Sequence, residues 1–172
     1  MIQTVKDSDT RPWFFLQTAH TTYGMRVMET GHLEHLYYGE RITVDAQDSA
    51  SCVPLIIQRA FTPGNTCTYD REHPQISMED ICLEVGTLGK GDIREPFLEV
   101  RFADGSVTSD FTFDSYKVIT LKEREQCLQD SGLPHSYSET ETDSAECLQI
   151  VLQEVTNRLE LQLFYTVFEE CD

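Results

Sequence analysis

A chain of 172 residues suits one domain of ordinary size, long enough to bury a core without disulfide or metal staples. Its 13 Lys and Arg stand against 30 Asp and Glu, a formal net charge of −17, which argues against phosphate backbones and anionic membrane surfaces as partners. Neither nucleic acid nor membrane is therefore expected, while a neutral partner such as a sugar is tolerated.

Met1 leads into IQTVKDSDTRP, which lacks the basic start, apolar middle and small-residue cleavage site of a secretory signal. No run approaches the ~20 apolar residues of a membrane-spanning helix. A cytoplasmic chain is expected. Cys52, Cys67, Cys82, Cys127, Cys147 and Cys171 are far apart and form no CxxC, so they read as reduced thiols in strands that offer zinc no ligand pair.

In chain order, WFFLQTAHTTYGMRVM (13–28) is aromatic and β-branched, and ETGH follows it, where Gly31 can take the positive φ of a tight turn. LEHLYYGERI runs back with bulk on both faces, as in a strand lying between two layers. A hairpin is expected. Val53 to Ile57 is a short apolar run that reads as a strand. AFTPGNTCTYDREHP then places Pro63, Gly64, Asn65 and Pro74 within a short span, which predicts a long loop of the length that often carries function.

Within GKGDIREPFLEVRFADGS (89–106), the glycines and charges form a loop, and FLEVRF alternates Leu98, Val100 and Phe102 with Glu99 and Arg101, predicting a half-buried strand. Asp104-Gly105 is the turn, and the returning strand begins at Val107 and continues through Phe111, Phe113 and SYKVITL. A second pair, CLQIVLQEV and RLELQLFYTVF, is joined at Thr156-Asn157, with Leu159, Leu161, Leu163, Tyr165 and Val167 on one face. The acidic stretch SETETDSAE (138–146) reads as a solvated connection and lacks the glycine and terminal glutamate offsets of a calcium loop. Two-turn helices are expected at 76–83 and 121–129. The predicted fold is all-β, an antiparallel sandwich of two packed sheets.

The residues offer little catalytic chemistry. No GxSxG occurs, and Gly86, Gly89 and Gly91 precede neither Lys-Ser nor Lys-Thr. His32 and His35, three positions apart on a strand, point to opposite faces. The acidic neighbours Glu79-Asp80, Asp92-Glu95 and Glu169-Glu170 read as surface charge, although a glycosidase needs two carboxylates at a set separation. The loop 58–74 stands out, because Gln58, Arg59, Tyr69, Asp70, Arg71, Glu72 and His73 supply the forked donors, acceptors and aromatic face that a hydroxyl-rich ligand uses. The alternative is a surface loop whose arginines pair with Asp70 and Glu72.

LEHLYYGERI, QRAFTPG, YDREHPQISMEDICLEVGTLGKGDIREPFLEV, DGSVTSDF and LELQLFYTVFE, in this order, resemble the N-terminal region of bacterial α-galactosidases of glycoside hydrolase family thirty-six, from about Trp13 to the last residue. The resemblance implies a β-supersandwich of the galactose-mutarotase-like type, truncated at its C-terminal end and cut before the (β/α)8 barrel that carries the two aspartates of a retaining mechanism. It implies a fragment, 1–172, with no catalytic residue, cofactor or metal of its own. It implies a homo-oligomer, a tetramer in the parent, whose substrate is an α-galactoside oligosaccharide of the melibiose or raffinose type. Carried over by position, Gln58 in IIQRAF and Arg71 in YDREHP are substrate-binding candidates near the galactose subsite, although position 58 is often Asp in the family. Gly89, Gly91, Asp92 and Arg94 are expected to brace a strand, with Asp92 or Glu95 pairing with Arg94. The alternatives are a stand-alone carbohydrate-binding sandwich and a mutarotase-like epimerase.

Overall fold

The computed structural model describes residues 1–56, 68–92, 95–129, 131–133, 145–169 and 171. Two antiparallel sheets face each other. The first has the order β1 (Ile2–Lys6), β2 (Pro12–Gln17), β3 (Thr21–Val27), β4 (Leu33–Glu40), and the second the order β7 (Phe111–Thr120), β8 (Glu146–Glu154), β9 (Glu160–Val167). Between them in sequence lie two short parallel segments, β5 (Thr87–Leu88) and β6 (Gly91–Asp92).

The sheets meet through alternate side chains, as period-two geometry requires. Phe14, Leu16, Met25, Val27 and Leu33 from the first sheet pack with Phe111, Leu148, Ile150, Leu152 and Val167 from the second. Burying each large side chain contributes roughly 1.5–3 kcal/mol, so this layer dominates stability. The other face of β2 is also covered. Val5, Trp13, Phe15 and Leu36 pack with Cys52, which a 3₁₀ turn at Ser49–Leu55 lays across the sheet. This double cover explains why PWFFLQ is buried at every position.

The expected hairpin is present as β3 and β4, and Gly31 turns it with φ +82°. The segment 13–28 is two strands rather than one, however, because Thr18–His20 form a turn in which the Thr18 hydroxyl accepts from Thr21 N at 2.9 Å. The register of β3 against β4 slips at Leu36, so Leu36 and Tyr37 both reach the outer cluster. The later pair is also as expected. β8 and β9 turn at 155–157, and Leu161, Leu163 and Tyr165 pack on the core, whereas Leu159 stays exposed.

Several expectations are corrected. The run from Val53 is a 3₁₀ turn, capped by Asp48, whose carboxylate accepts from Ala50 N at 3.0 Å; Pro54, which cannot donate to a ladder, lies within it. FLEVRF alternates in exposure, with Leu98 and Val100 against the core, but only Leu98 forms a bridge, to Thr87. Its Asp104-Gly105 turn exists, closed by Phe102 N donating to Ser106 O at 2.9 Å, yet the returning strand starts at Phe111. The helix at Leu121–Leu128 forms on a Thr120/Glu123 capping box, while 76–83 holds only the 3₁₀ turn Met78–Asp80. Of the five cysteines described, only Cys147 lies in a strand. The acidic connection is outside the described residues up to 144; Ala145 is buried and Glu146 begins β8. Among the described residues, no helix is long and apolar enough to cross a membrane.

Candidate functional site

The loop singled out by composition is described from residue 68 onward. Asp70 organises it: its Oδ1 accepts from Glu72 N at 2.8 Å, from His73 N at 2.7 Å and from His73 Nδ1 at 2.9 Å. Tyr69 N donates to Ile76 O at 2.7 Å and Ile76 N to His73 O at 3.0 Å, so the loop closes on itself. Ile76 and Met78 are buried beside Met28, with Tyr69, Ile81 and Leu83 packed around them, which ties the loop to the end of β3. Arg71 is exposed on this loop. It makes no ion pair among the described residues, since Asp70 is already occupied by His73 and backbone. The alternative of a loop whose Arg71 is spent on its acidic neighbours is therefore absent here.

Beneath the loop, three side chains from separate segments converge on Asp110. His32 Nε2 lies 2.7 Å from Asp110 Oδ1, and Thr30 Oγ1 lies 2.9 Å from His32 Nδ1. Because Nε2 faces a carboxylate it carries the proton and donates. Tyr69 donates its hydroxyl to Asp110 Oδ2 at 3.2 Å, and Lys90 Nζ stands 3.5 Å from the same oxygen and 4.6 Å from the centre of the Tyr69 ring. The His32 ring meets Tyr69 edge-on at 5.0 Å. Burial pushes the Asp110 carboxyl up, but the hydrogen bond and charge of His32, the charge of Lys90 and the Tyr69 hydroxyl outweigh it, and the group is held below the usual carboxylate range. Tyr69 moves the other way, pushed up to about 12 by burial and then by the charge and hydrogen bond of Asp110.

Lys90 reaches this point through the GKGD turn. Gly89 takes φ +80°, Lys90 N donates to Thr87 O at 3.0 Å and Gly89 N to Asp92 O at 2.9 Å. The Asp92 side chain accepts from Glu95 N at 3.0 Å, but FLEVRF, the strand it was expected to brace, forms only the bridge at Leu98; its expected partner Arg94 lies outside the described residues.

A second polar centre bridges the sheets. The Glu84 side chain, only 6% exposed, accepts from the Tyr23 hydroxyl at 2.6 Å and the Tyr165 hydroxyl at 2.8 Å, with His35 Nδ1 at 3.2 Å. Next to it opens a cavity of about 520 Å³ lined by residues that include Tyr23, Tyr38, Tyr165, Thr18, Thr21 and Thr166. His32 and His35 thus serve two different carboxylates. Among the described residues, no group of three His, Cys, Asp or Glu is placed to hold a metal ion.

The outcome for the sequence candidates is uneven. Tyr69, Asp70, Arg71, Glu72 and His73 share one closed loop. Gln58 and Arg59 lie outside the described residues. Glu79 and Asp80 are exposed, as expected of surface charge. Residue reading missed His32, Lys90, Asp110 and Glu84 as a set, because Asp110 and Glu84 draw their partners from 20 to 81 positions away. The available signal was a lone acid directly before an apolar strand, Asp110 ahead of Phe111.

Sequence comparison places this site in a family context. The Glycosyl hydrolase family 36 N-terminal domain matches residues 31–172. The bifunctional alpha-galactosidase/sucrose kinase AgaSK of Mediterraneibacter gnavus is 35% identical over 161 residues, which is 92% of this chain and 16% of that protein. Alpha-galactosidase AgaA of Geobacillus stearothermophilus is 31% identical over 157 residues, 91% of this chain and 20% of that protein. Among solved structures, the galactosidase domain of AgaSK superposes with a TM-score of 0.75 at 30% identity, covering 97% of this chain and 21% of its own. A variant of AgaA in complex with stachyose gives 0.73 at 26% identity, covering 92% and 20%. The chain thus spans about a fifth of the length of most of these relatives, and the sandwich is the part they share. On the extent of the family match and the agreement in fold, this chain belongs to the glycosyl hydrolase family 36 N-terminal domains.

Proposed function

We propose that this chain is the non-catalytic N-terminal domain of an α-galactosidase that removes terminal α-linked galactose from oligosaccharides of the melibiose or raffinose type. In that reading its loop around residues 58–76 helps to close the sugar pocket, with Arg71 and Gln58 supplying polar contacts, in an oligomeric cytoplasmic enzyme. One relative points to the substrate class, since two structures of AgaA variants hold raffinose and stachyose. The observation that carries the reading is Arg71 itself: it makes no ion pair among the described residues, and the segment 69–76 that carries it closes on itself, so its guanidinium is a forked donor set offered to hydroxyls.

The absence of catalysis within this domain is supported by how its buried carboxylates are used. Glu84 is saturated by two phenols and a histidine, Asp110 by His32, Tyr69 and Lys90, and Glu34 by Arg26 Nε at 2.7 Å. Glu154 accepts from Thr156 N at 2.9 Å and from Asn157 N. Retaining hydrolysis needs two carboxyl groups ~5–5.5 Å apart with access to the sugar, and acids held this way serve as braces. The test is Arg71→Ala in the complete enzyme. A fall in kcat/KM for an α-galactoside supports the reading and an unchanged value ends it. Chain 1–172 alone is expected to leave nitrophenyl α-galactoside intact.

A second reading, a stand-alone carbohydrate-binding sandwich, draws on the cavity beside Glu84, where tyrosine rings and threonine hydroxyls adjoin. Calorimetric titration of chain 1–172 with galactose separates the two, because a free-standing module gives saturable heat and a domain holding part of a pocket does not.

A further inference from the structure

The reading of Arg71 leaves open what fixes the loop that carries it, and the Asp110 cluster lies directly below. Tyr69 is the only loop residue among 69–76 that reaches Asp110, and it does so with every part of its side chain engaged: the hydroxyl on the carboxylate, one contact to the ring from Lys90 at 4.6 Å, another from the edge of His32 at 5.0 Å. The three partners come from different places, His32 from the β3–β4 turn, Lys90 from the GKGD turn and Asp110 from the residue before β7. Such convergence fixes a ring in position and orientation, and Arg71 leaves the backbone two residues later.

We propose that Tyr69 is a positioning residue, locked by Asp110, His32 and Lys90, that sets the direction in which Arg71 projects toward the sugar. This inference rests on the role given to Arg71 above. It also gives the charged GKGD turn a purpose beyond bracing a strand: Lys90 is spent on Tyr69 and Asp110 and so serves the loop. A ring held this way costs no reorganisation when a ligand arrives, which is the benefit that rigid support of a binding group confers.

Two measurements test it. The first uses chain 1–172 and trypsin, which cuts after Arg71. In Tyr69→Ala, cleavage at the Arg71–Glu72 bond is expected to rise about tenfold or more while cleavage elsewhere and the thermal midpoint change little, as local opening predicts. Tyr69→Phe, which loses the hydroxyl alone, and Lys90→Met, which loses the cation, are expected to fall between, and they serve if Tyr69→Ala does not fold. Cleavage at Arg71 equal to that of the parent chain in all three variants overturns the lock.

The second is a double-mutant cycle in the complete enzyme. Tyr69→Ala is expected to raise KM for an α-galactoside about 5- to 10-fold with kcat within about twofold, and to have no further effect once Arg71 is Ala, because coupled residues are not additive. If Arg71→Ala lowers kcat/KM and Tyr69→Ala does not, or if the two effects add, the positioning role is overturned while the reading of Arg71 stands. If Arg71→Ala changes nothing, that reading falls and the inference falls with it.

Discussion

Tyr23 on one sheet and Tyr165 on the other donate to different oxygens of a single buried carboxylate, that of Glu84, at 2.6 and 2.8 Å. The two sheets are therefore linked by a polar bridge at the edge of an otherwise apolar interface. Removing the carboxylate strands two half-buried phenols and a histidine at once. Glu84→Ala is expected to destabilise the domain by about 2–4 kcal/mol, and Tyr23→Phe, which removes one hydrogen bond, by only about 1 kcal/mol. Urea unfolding of the two variants checks the ratio; equal effects would mean that the carboxylate is not the centre of the bridge.

The same geometry fixes a response to alkali. Burial, the hydrogen bond to Glu84 and its charge raise the Tyr23 phenol far above its ordinary value, and burial followed by the charge and hydrogen bond of Glu84 does the same for Tyr165. The Tyr69 phenol is raised as well, to about 12, so all three favour the neutral form more strongly when folded. For an acid whose folded pKa is raised, the stabilisation is complete below the unfolded value of ~10 and is lost as pH rises above it. Ultraviolet titration of tyrosinate is expected to show two phenols, Tyr23 and Tyr165, that ionise only with unfolding, and the unfolding free energy is expected to fall steadily above ~pH 10.

Gly31 links the sequence directly to the packing of the sheets. It takes φ +82° and its N donates to Met28 O at 3.0 Å, while an added Cβ would come within 3.1 Å of Thr112 Cβ on β7. Gly31→Ala therefore incurs both the left-handed penalty and a clash with the opposing sheet. A loss of about 1–3 kcal/mol is expected, read as a lowered thermal midpoint. Gly105→Ala, at φ +88° but with no atom within 4 Å of its Cβ, incurs the first cost alone and is expected to fall below it.

The strands were legible where alternation and a turn coincide. CLQIVLQEV and RLELQLFYTVF flank Thr156-Asn157, and both halves pair in register across the turn. In FLEVRF the same alternation reports which side packs, with Leu98 and Val100 inward, but says nothing of whether a backbone partner lies alongside. At Ser49–Leu55 the apolar run hid a stronger local instruction, the Asp48 cap and Pro54. In the candidate site, Tyr69 and Arg71 could be found from loop composition because local chemistry marks them. Asp110 and Glu84 could not, since an isolated acid becomes a hub only when segments dozens of residues apart arrive around it.

Asp110 provides a prediction at the acid end of the pH range. Its folded carboxyl is held below the ordinary value of ~3.9 because His32, Lys90 and Tyr69 favour the charged form more strongly than burial opposes it. A depressed folded pKa gives stability that is fully present above the unfolded value and disappears as pH falls through the folded one. Relative to Asp110→Asn, the parent chain is expected to be more stable by about 1–3 kcal/mol at neutral pH, with the difference shrinking below ~pH 4. Protonation also removes the charge that Lys90 and His32 answer, so cleavage within residues 69–76, by pepsin in acid and by trypsin at neutral pH, should follow that loss in the parent. In Asp110→Asn it should be fast at every pH. If cleavage in the parent stayed slow after the stability difference had vanished, the carboxylate would be shown to stabilise the sandwich without holding the loop.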